Sequence, residues 1–199
     1  MTQALLTVGA LAAGLFLIVV LVEGFTRRGY DPLYHTGSEL ALGPRGWIQT
    51  ANFLVMGLAM LAFALGVYQS LAAPLGAALL AVFGIGLITA GVFRPDPIRG
   101  YPPGSATGAD GNVTWQHQVH GIVGGPIAFL AIFGACLALA SQLENAWRWY
   151  TLLTAGVGLV LTVSTAVAYT RDAANTGLVQ RGLLLTYWAW IIALAVHLV

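Results

Sequence analysis

Residues 46–93 read GWIQTANFLVMGLAMLAFALGVYQSLAAPLGAALLAVFGIGLITAGVF, 48 positions between Arg45 and Arg94 without a charged side chain. As one helix this stretch would rise roughly 72 Å, more than twice the ~30 Å hydrocarbon core of a bilayer. It must cross, turn and cross back. Gln69-Ser70 marks the turn, with Pro74 and Gly76 just beyond it, because proline and glycine punctuate helices.

Working outward, the charge-free runs give six spans, at about 3–22, 50–69, 74–93, 119–141, 149–170 and 182–199. Each is long enough to cross lipid as a helix. Hydrophobic residues make up 58% of the chain and charged residues 8%, against about 25% charged in a soluble domain. The expected fold is therefore all-α: one domain over residues 1–199, an integral membrane bundle of six transmembrane helices. A net charge of +1 argues against a nucleic-acid partner, which needs a basic patch. Cys136 is the only cysteine, so an intrachain disulfide and a thiolate metal cluster are both excluded. The apolar run from Ala4 to Val22 is too long for a signal-peptide core and is expected to be a retained first helix.

The loops alternate in character. Those after spans one, three and five (about 23–49, 94–118 and 171–181) are long and polar, and parity puts them on one membrane face as a cap. That face holds seven of the eight arginines and six of the seven acids; Arg148 and Glu144 lie opposite. Counting basic residues makes the arginine-rich face cytoplasmic and both termini external. Aromatics mark both rims: Trp47, Tyr101 and Trp115 on the charged one, Tyr68, Trp147, Trp149 and Tyr150 on the other. Small residues four apart, Gly9/Ala13, Ala10/Gly14, Ala62/Gly66 and Gly86/Ala90, suit close helix approach. Arginine followed by aspartate recurs where the odd spans end (Arg27 with Asp31, Arg94 with Asp96, Arg171 with Asp172), and a local pair is expected at each.

Candidate chemistry sits in the cap. In His35-Thr36-Gly37-Ser38-Glu39-Leu40, Ser38 is placed to cap a short interfacial helix and Glu39 to support its first turn, or to act as an acid or ligand. Residues 94–104, with four prolines and two glycines, cannot be helical and form a stiff segment placed to lie over the bundle as a lid. Asp110-Gly111 makes a further turn. His117 and His120 share a helix face. Such a pair, with Asp96 or Glu39, is a possible zinc set in which a water completes the shell. The alternative is that these histidines bond to loop carbonyls. No Asp, Glu, Arg or Lys lies at mid-depth, which disfavours ion-coupled transport.

Ser38-Glu39-Leu40 with Gly43, Asp96-Pro97 before Gly100-Tyr101-Pro102-Pro103-Gly104, and His117/His120 opening the next span together resemble the bacterial six-helix membrane family called domain of unknown function 998 (DUF998). The resemblance spans about residues 5–198. It implies the fold and a multi-pass place in the cell membrane, expected to be a bacterial inner membrane; it assigns no functional residue.

The leading expectation is a module binding a membrane lipid or isoprenoid, or an accessory to another membrane protein. Its polar site would use Glu39, Arg94, Asp96, Arg99, Tyr101, Trp115, His117 and His120. The alternative is an interfacial metal-dependent hydrolase using His117, His120 and Asp96, with Arg94 or Arg99 stabilising an oxyanion. A small-molecule exporter ranks third.

Overall fold

The computed structural model describes residues 1–108 and 113–199. The Asp110-Gly111 turn expected from the sequence therefore lies outside the described residues. Six long apolar helices make up the bundle: α1 (Thr2–Thr26), α2 (Gly46–Leu71), α3 (Pro74–Val92), α4 (Trp115–Ala140), α5 (Asn145–Thr170) and α6 (Thr176–Leu198). The protein is a multi-pass membrane protein. Each helix packs on its sequence neighbours, and α6 packs back on α1, so the six close into a ring. Short connections join α2 to α3 and α4 to α5, and the longer polar loops join the other sequence neighbours across the cap.

The helices run further into the rims than charge counting suggests. Glu23 falls in the last turn of α1 and Arg181 in the second turn of α6 because both find partners there. The reversal between α2 and α3 sits at Ala72-Ala73, not Gln69-Ser70. Ala72 takes a left-handed conformation (φ 49°) that ends α2, and Pro74 opens α3, where its missing N–H costs nothing.

Lipid gives helices no hydrophobic reason to associate, so close packing of small residues carries the ring. A Cβ on Gly86 would lie 2.6 Å from Ala128 Cβ, and one on Gly124 would lie 2.7 Å from Ala90 Cβ. The α3–α4 crossing is thus a reciprocal pair of small-residue contacts, of which the sequence showed only the Gly86/Ala90 half. Gly9 likewise receives Phe63, and Gly66 receives Leu5 and Leu6. At mid-depth Trp188 is fully buried against Phe16 (4.8 Å between ring centroids) and Phe83 (5.5 Å), plugging the ring.

α4 is not a regular helix. Val123–Ile127 forms a π-helical turn containing Pro126, and Gly125 departs from helical geometry (φ −101°, ψ −108°). Proline removes an amide donor and clashes with the preceding turn, which explains the break.

Both termini lie on the face opposite the cap, where Gln3 donates to the Val199 carbonyl (3.0 Å). His197 stacks on Trp147 there (4.1 Å), far from His117 and His120. Trp47 and Trp115 stand exposed on the charged rim, but Tyr101 does not. Tyr101 is buried edge-on against Tyr30, its hydroxyl taking a hydrogen bond from Arg27, and so belongs to the cap's interior.

Candidate functional site

The cap is a folded layer, and its ion pairs differ from those expected. Arg27 does not pair with Asp31. Its guanidinium bonds to Glu23 four residues earlier (2.7 Å) and donates to the Leu42 and Arg45 carbonyls. Arg45 joins the same buried Glu23 carboxylate. Asp31 instead accepts from the Leu33 amide, and Asp96 accepts from the Thr114 amide and hydroxyl. Asp172 pairs with distant Arg99 (2.7 Å) rather than with Arg171. Loop closure brings these groups together, and a desolvated carboxylate takes whichever cation can be buried with it.

Arg99 is the hub of this layer. Its side chain is completely buried, lies 3.6 Å from the Glu39 carboxylate, and donates to the Tyr34 carbonyl. The Tyr34 and Tyr169 rings flank it at 4.0 and 4.9 Å, favourable for a cation over an aromatic face. Arg181 bonds to the Tyr30 hydroxyl and the His35 carbonyl. His35 accepts from the Asp31 amide at Nδ1, so its Nε2 carries the proton donated to the Arg99 carbonyl. Tyr34 donates its hydroxyl to Asp172, and burial together with that bond holds its pKa up at about 12. The Pro-Gly segment is thereby pinned to the bundle through Arg99 and Tyr101.

The short helix in the first loop exists (Gly37–Ala41), but Thr36 caps it, not Ser38. The Glu39 carboxylate accepts from both the Thr36 amide (2.5 Å) and the Thr36 hydroxyl (3.0 Å). Spacing decides this: the acid reaches back three residues to satisfy an amide that the helix leaves free.

Burial raises the Glu39 pKa above the ordinary glutamate value, with the Thr36 amide and Arg99 acting against that rise. The folded state therefore holds this proton more tightly than the unfolded chain does. Stability contributed by the group falls as pH rises from the usual glutamate range through the folded-state pKa. Glu39→Gln keeps the box but does not titrate, so its melting temperature should stay flat where the wild type declines. Glu39→Leu loses the box, worth about 1 kcal/mol, and also takes one carboxylate from the buried Arg99, so it should cost more than the box alone. Thermal melts from about pH 4 to pH 8 check both outcomes.

Beneath the cap the ring encloses a cavity of about 280 Å³. Its roof includes Thr36, Glu39, Asp96 and Ile98, and its floor includes Phe16, Phe53, Leu87, Phe129 and Trp188. One wall is α4 around His117, His120, Gly121 and Gly124; the opposite wall is α5 at Thr162, Thr165, Ala166 and Tyr169. Gly121, Pro126, Ala166 and Thr170 line the cavity and are also exposed, so it reaches the bundle's outer surface between α4 and α5. Over Trp115–Ile127 only His120 is buried, because the π-turn carries this half of α4 away from α5.

Of the residues expected from the sequence, Glu39, Asp96, His117 and His120 meet around this one cavity. Arg94 is exposed on the rim next to Pro95, and Trp115 is exposed against Phe93. Arg99 and Tyr101 are buried in the cap, where cap residues contact them, and neither is among the residues lining the cavity. Among the described residues, no three His, Cys, Asp or Glu side chains gather closely enough to hold a metal ion. His117 accepts from the Asp96 amide through Nδ1, and His120 donates through Nδ1 to the Ala90 and Phe93 carbonyls. The His120 partners are carbonyls, the kind weighed as the alternative to metal binding, whereas the backbone amide that His117 accepts from was not foreseen.

Sequence reasoning missed Gln49 and Trp188. Gln49 is fully buried in α2 and forms an amide pair with Asn52, which also donates to the Phe16 carbonyl at 3.2 Å. The signal was present as two amides three residues apart inside the charge-free stretch, but a search for charge passes over neutral amides. Thr162 and Thr165 bond back to their own helix, as expected of threonines at depth.

A closed six-helix membrane ring with a folded polar cap and a laterally open cavity defines the class. The chain belongs to the family described as a protein of unknown function (DUF998), which matches residues 10–197. No curated protein and no solved structure matches it.

Proposed function

We propose that this protein is a membrane lipid-binding module that takes one amphiphile sideways from the bilayer through the α4–α5 gap. The polar end would sit beneath the cap and the tail would trail back into lipid. The observation that carries this reading is the cavity itself: apolar below, polar above, and open at membrane depth. Ligand sites in bundles are concave, mostly apolar and furnished with a few polar groups. At about 280 Å³ the space suits a headgroup and the start of a tail, not a whole lipid. Reading the cap as a hydrolytic metal centre has no such support, since among the described residues no three His, Cys, Asp or Glu side chains gather closely enough to hold an ion. An accessory role beside another membrane protein is compatible with lipid binding and draws on no separate observation.

The test is organic extraction and mass spectrometry of protein purified in mild detergent. About one amphiphile per chain should be recovered, and Ala166→Trp, which places an indole in the exposed gap, should remove it without lowering the melting temperature. Equal lipid in both proteins, or none in the wild type, would sink the proposal.

A further inference from the structure

The cavity's polar groups are of a particular kind. Gln49 Nε2 and Trp188 Nε1 are buried N–H donors with no acceptor among the described residues, and both side chains line the cavity. Glu39 Oε1, at the roof, is a buried acceptor without a hydrogen bond, its nearest cation being the Arg99 guanidinium at 3.6 Å. His120 uses Nδ1 for the Ala90 and Phe93 carbonyls, which leaves Nε2 a lone-pair acceptor with no partner among the described residues. Buried polar atoms are nearly always paired, so an orphaned set around one space is a mould of what fills it.

The charges around that space argue for a neutral occupant. Arg99 is held by Glu39, Asp172 and the Tyr34 carbonyl, and Arg181 by Tyr30 and the His35 and Gly177 carbonyls. Neither arginine is among the residues lining the cavity, whereas Glu39 and Asp96 both line it. A phosphate headgroup would face carboxylates with no arginine among the described residues that line the cavity. The surrounding rings, Phe16, Phe53, Phe129, Tyr169 and Trp188, offer flat apolar faces, and Gly121, where a Cβ would meet nothing within 4 Å, leaves room beside them.

We infer that the amphiphile is a tailed quinone, a flat neutral ring whose carbonyl oxygens accept from Gln49 and Trp188 and whose reduced form donates its hydroxyls to Glu39 and His120. The inference rests on the cavity reading above and names the ligand class for it. Neutral acceptors on one ring serve the two orphaned N–H donors, and the hydroxyls of its reduced form serve the acceptors on Glu39 and His120. A plain hydrocarbon chain accounts for none, and a phosphate cannot use the carboxylate.

Three probes with the same tail separate these possibilities: decyl benzoquinone, decylbenzene and decyl phosphate, titrated calorimetrically into protein in lipid nanodiscs. The benzoquinone should bind about tenfold more tightly than either of the others. Gln49→Leu and Trp188→Phe should each weaken the benzoquinone about fivefold and leave decylbenzene unchanged. Melting curves identify any variant that fails to fold, and the ranking on the wild-type chain stands without variants. Decyl phosphate binding as tightly as the benzoquinone, or decylbenzene doing so, overturns the quinone while leaving the cavity reading intact. Unchanged benzoquinone affinity in both folded variants also overturns it. No binding by any probe overturns both.

Discussion

Arg99→Ala should cost the detergent-solubilised protein about 3–5 kcal/mol, the largest loss expected from any single substitution in the cap. The guanidinium is wholly removed from solvent, and it lies against Glu39 and Asp172 while donating to the Tyr34 carbonyl. Truncation leaves a carboxyl that is 3% exposed without its cation and opens a void between the Tyr34 and Tyr169 rings. Breaking a buried pair by removing one partner is expensive because the remaining charge stays desolvated. Melting temperature should fall by roughly 10 °C. Adding Glu39→Gln should restore part of the loss, since the abandoned carboxyl becomes a neutral amide that still completes the Thr36 box. A single variant that melts like the wild type would show that the cap does not depend on this hub. Asp172→Asn should be much milder, because the Asp172 side chain is 37% exposed and asparagine keeps an acceptor for Arg99.

Gly86→Leu should prevent recovery of folded protein, or lower its stability by more than about 3 kcal/mol. The new side chain would start 2.6 Å from Ala128 Cβ and 3.1 Å from the Val123 carbonyl, a methyl fixed directly to the backbone and a backbone oxygen at either end of the π-turn. Neither can retreat without separating α3 from α4. Nothing in lipid offsets that separation, since association of spans depends on contact and not on exclusion from water. The matched control is Gly156→Leu on α5, where a Cβ meets nothing within 4 Å and the residue is exposed. Size-exclusion profiles and thermal melts of the two variants should diverge sharply. Similar behaviour would mean that the α3–α4 crossing does not hold the ring together.

Both predictions mark the boundary between what patterns and contacts reveal. The run from Gly46 to Phe93 contains the spanning pair and its reversal, because hydrocarbon excludes charge along its whole depth. Loop parity was equally readable, and it placed Glu39, Asp96, His117 and His120 on one face. Which carboxylate meets which arginine was not readable. Asp172 and Arg99 are 73 positions apart, and the local Arg–Asp spacing at each span end pointed to the wrong partner. The cavity was hidden for a related reason: a π-turn at Gly125-Pro126 moves half of one helix, and only packing shows what it moves away from.

The sequence by itself determined the solvent: a chain this poor in charge must thread lipid, and its polar segments must collect at the rims. Tertiary structure alone decided which polar groups are consumed by the fold and which are left facing a space. Hydrophobicity is a property of each side chain summed along the chain. Hydrogen-bond satisfaction belongs to pairs, and pairs between distant residues exist only after the ring has closed.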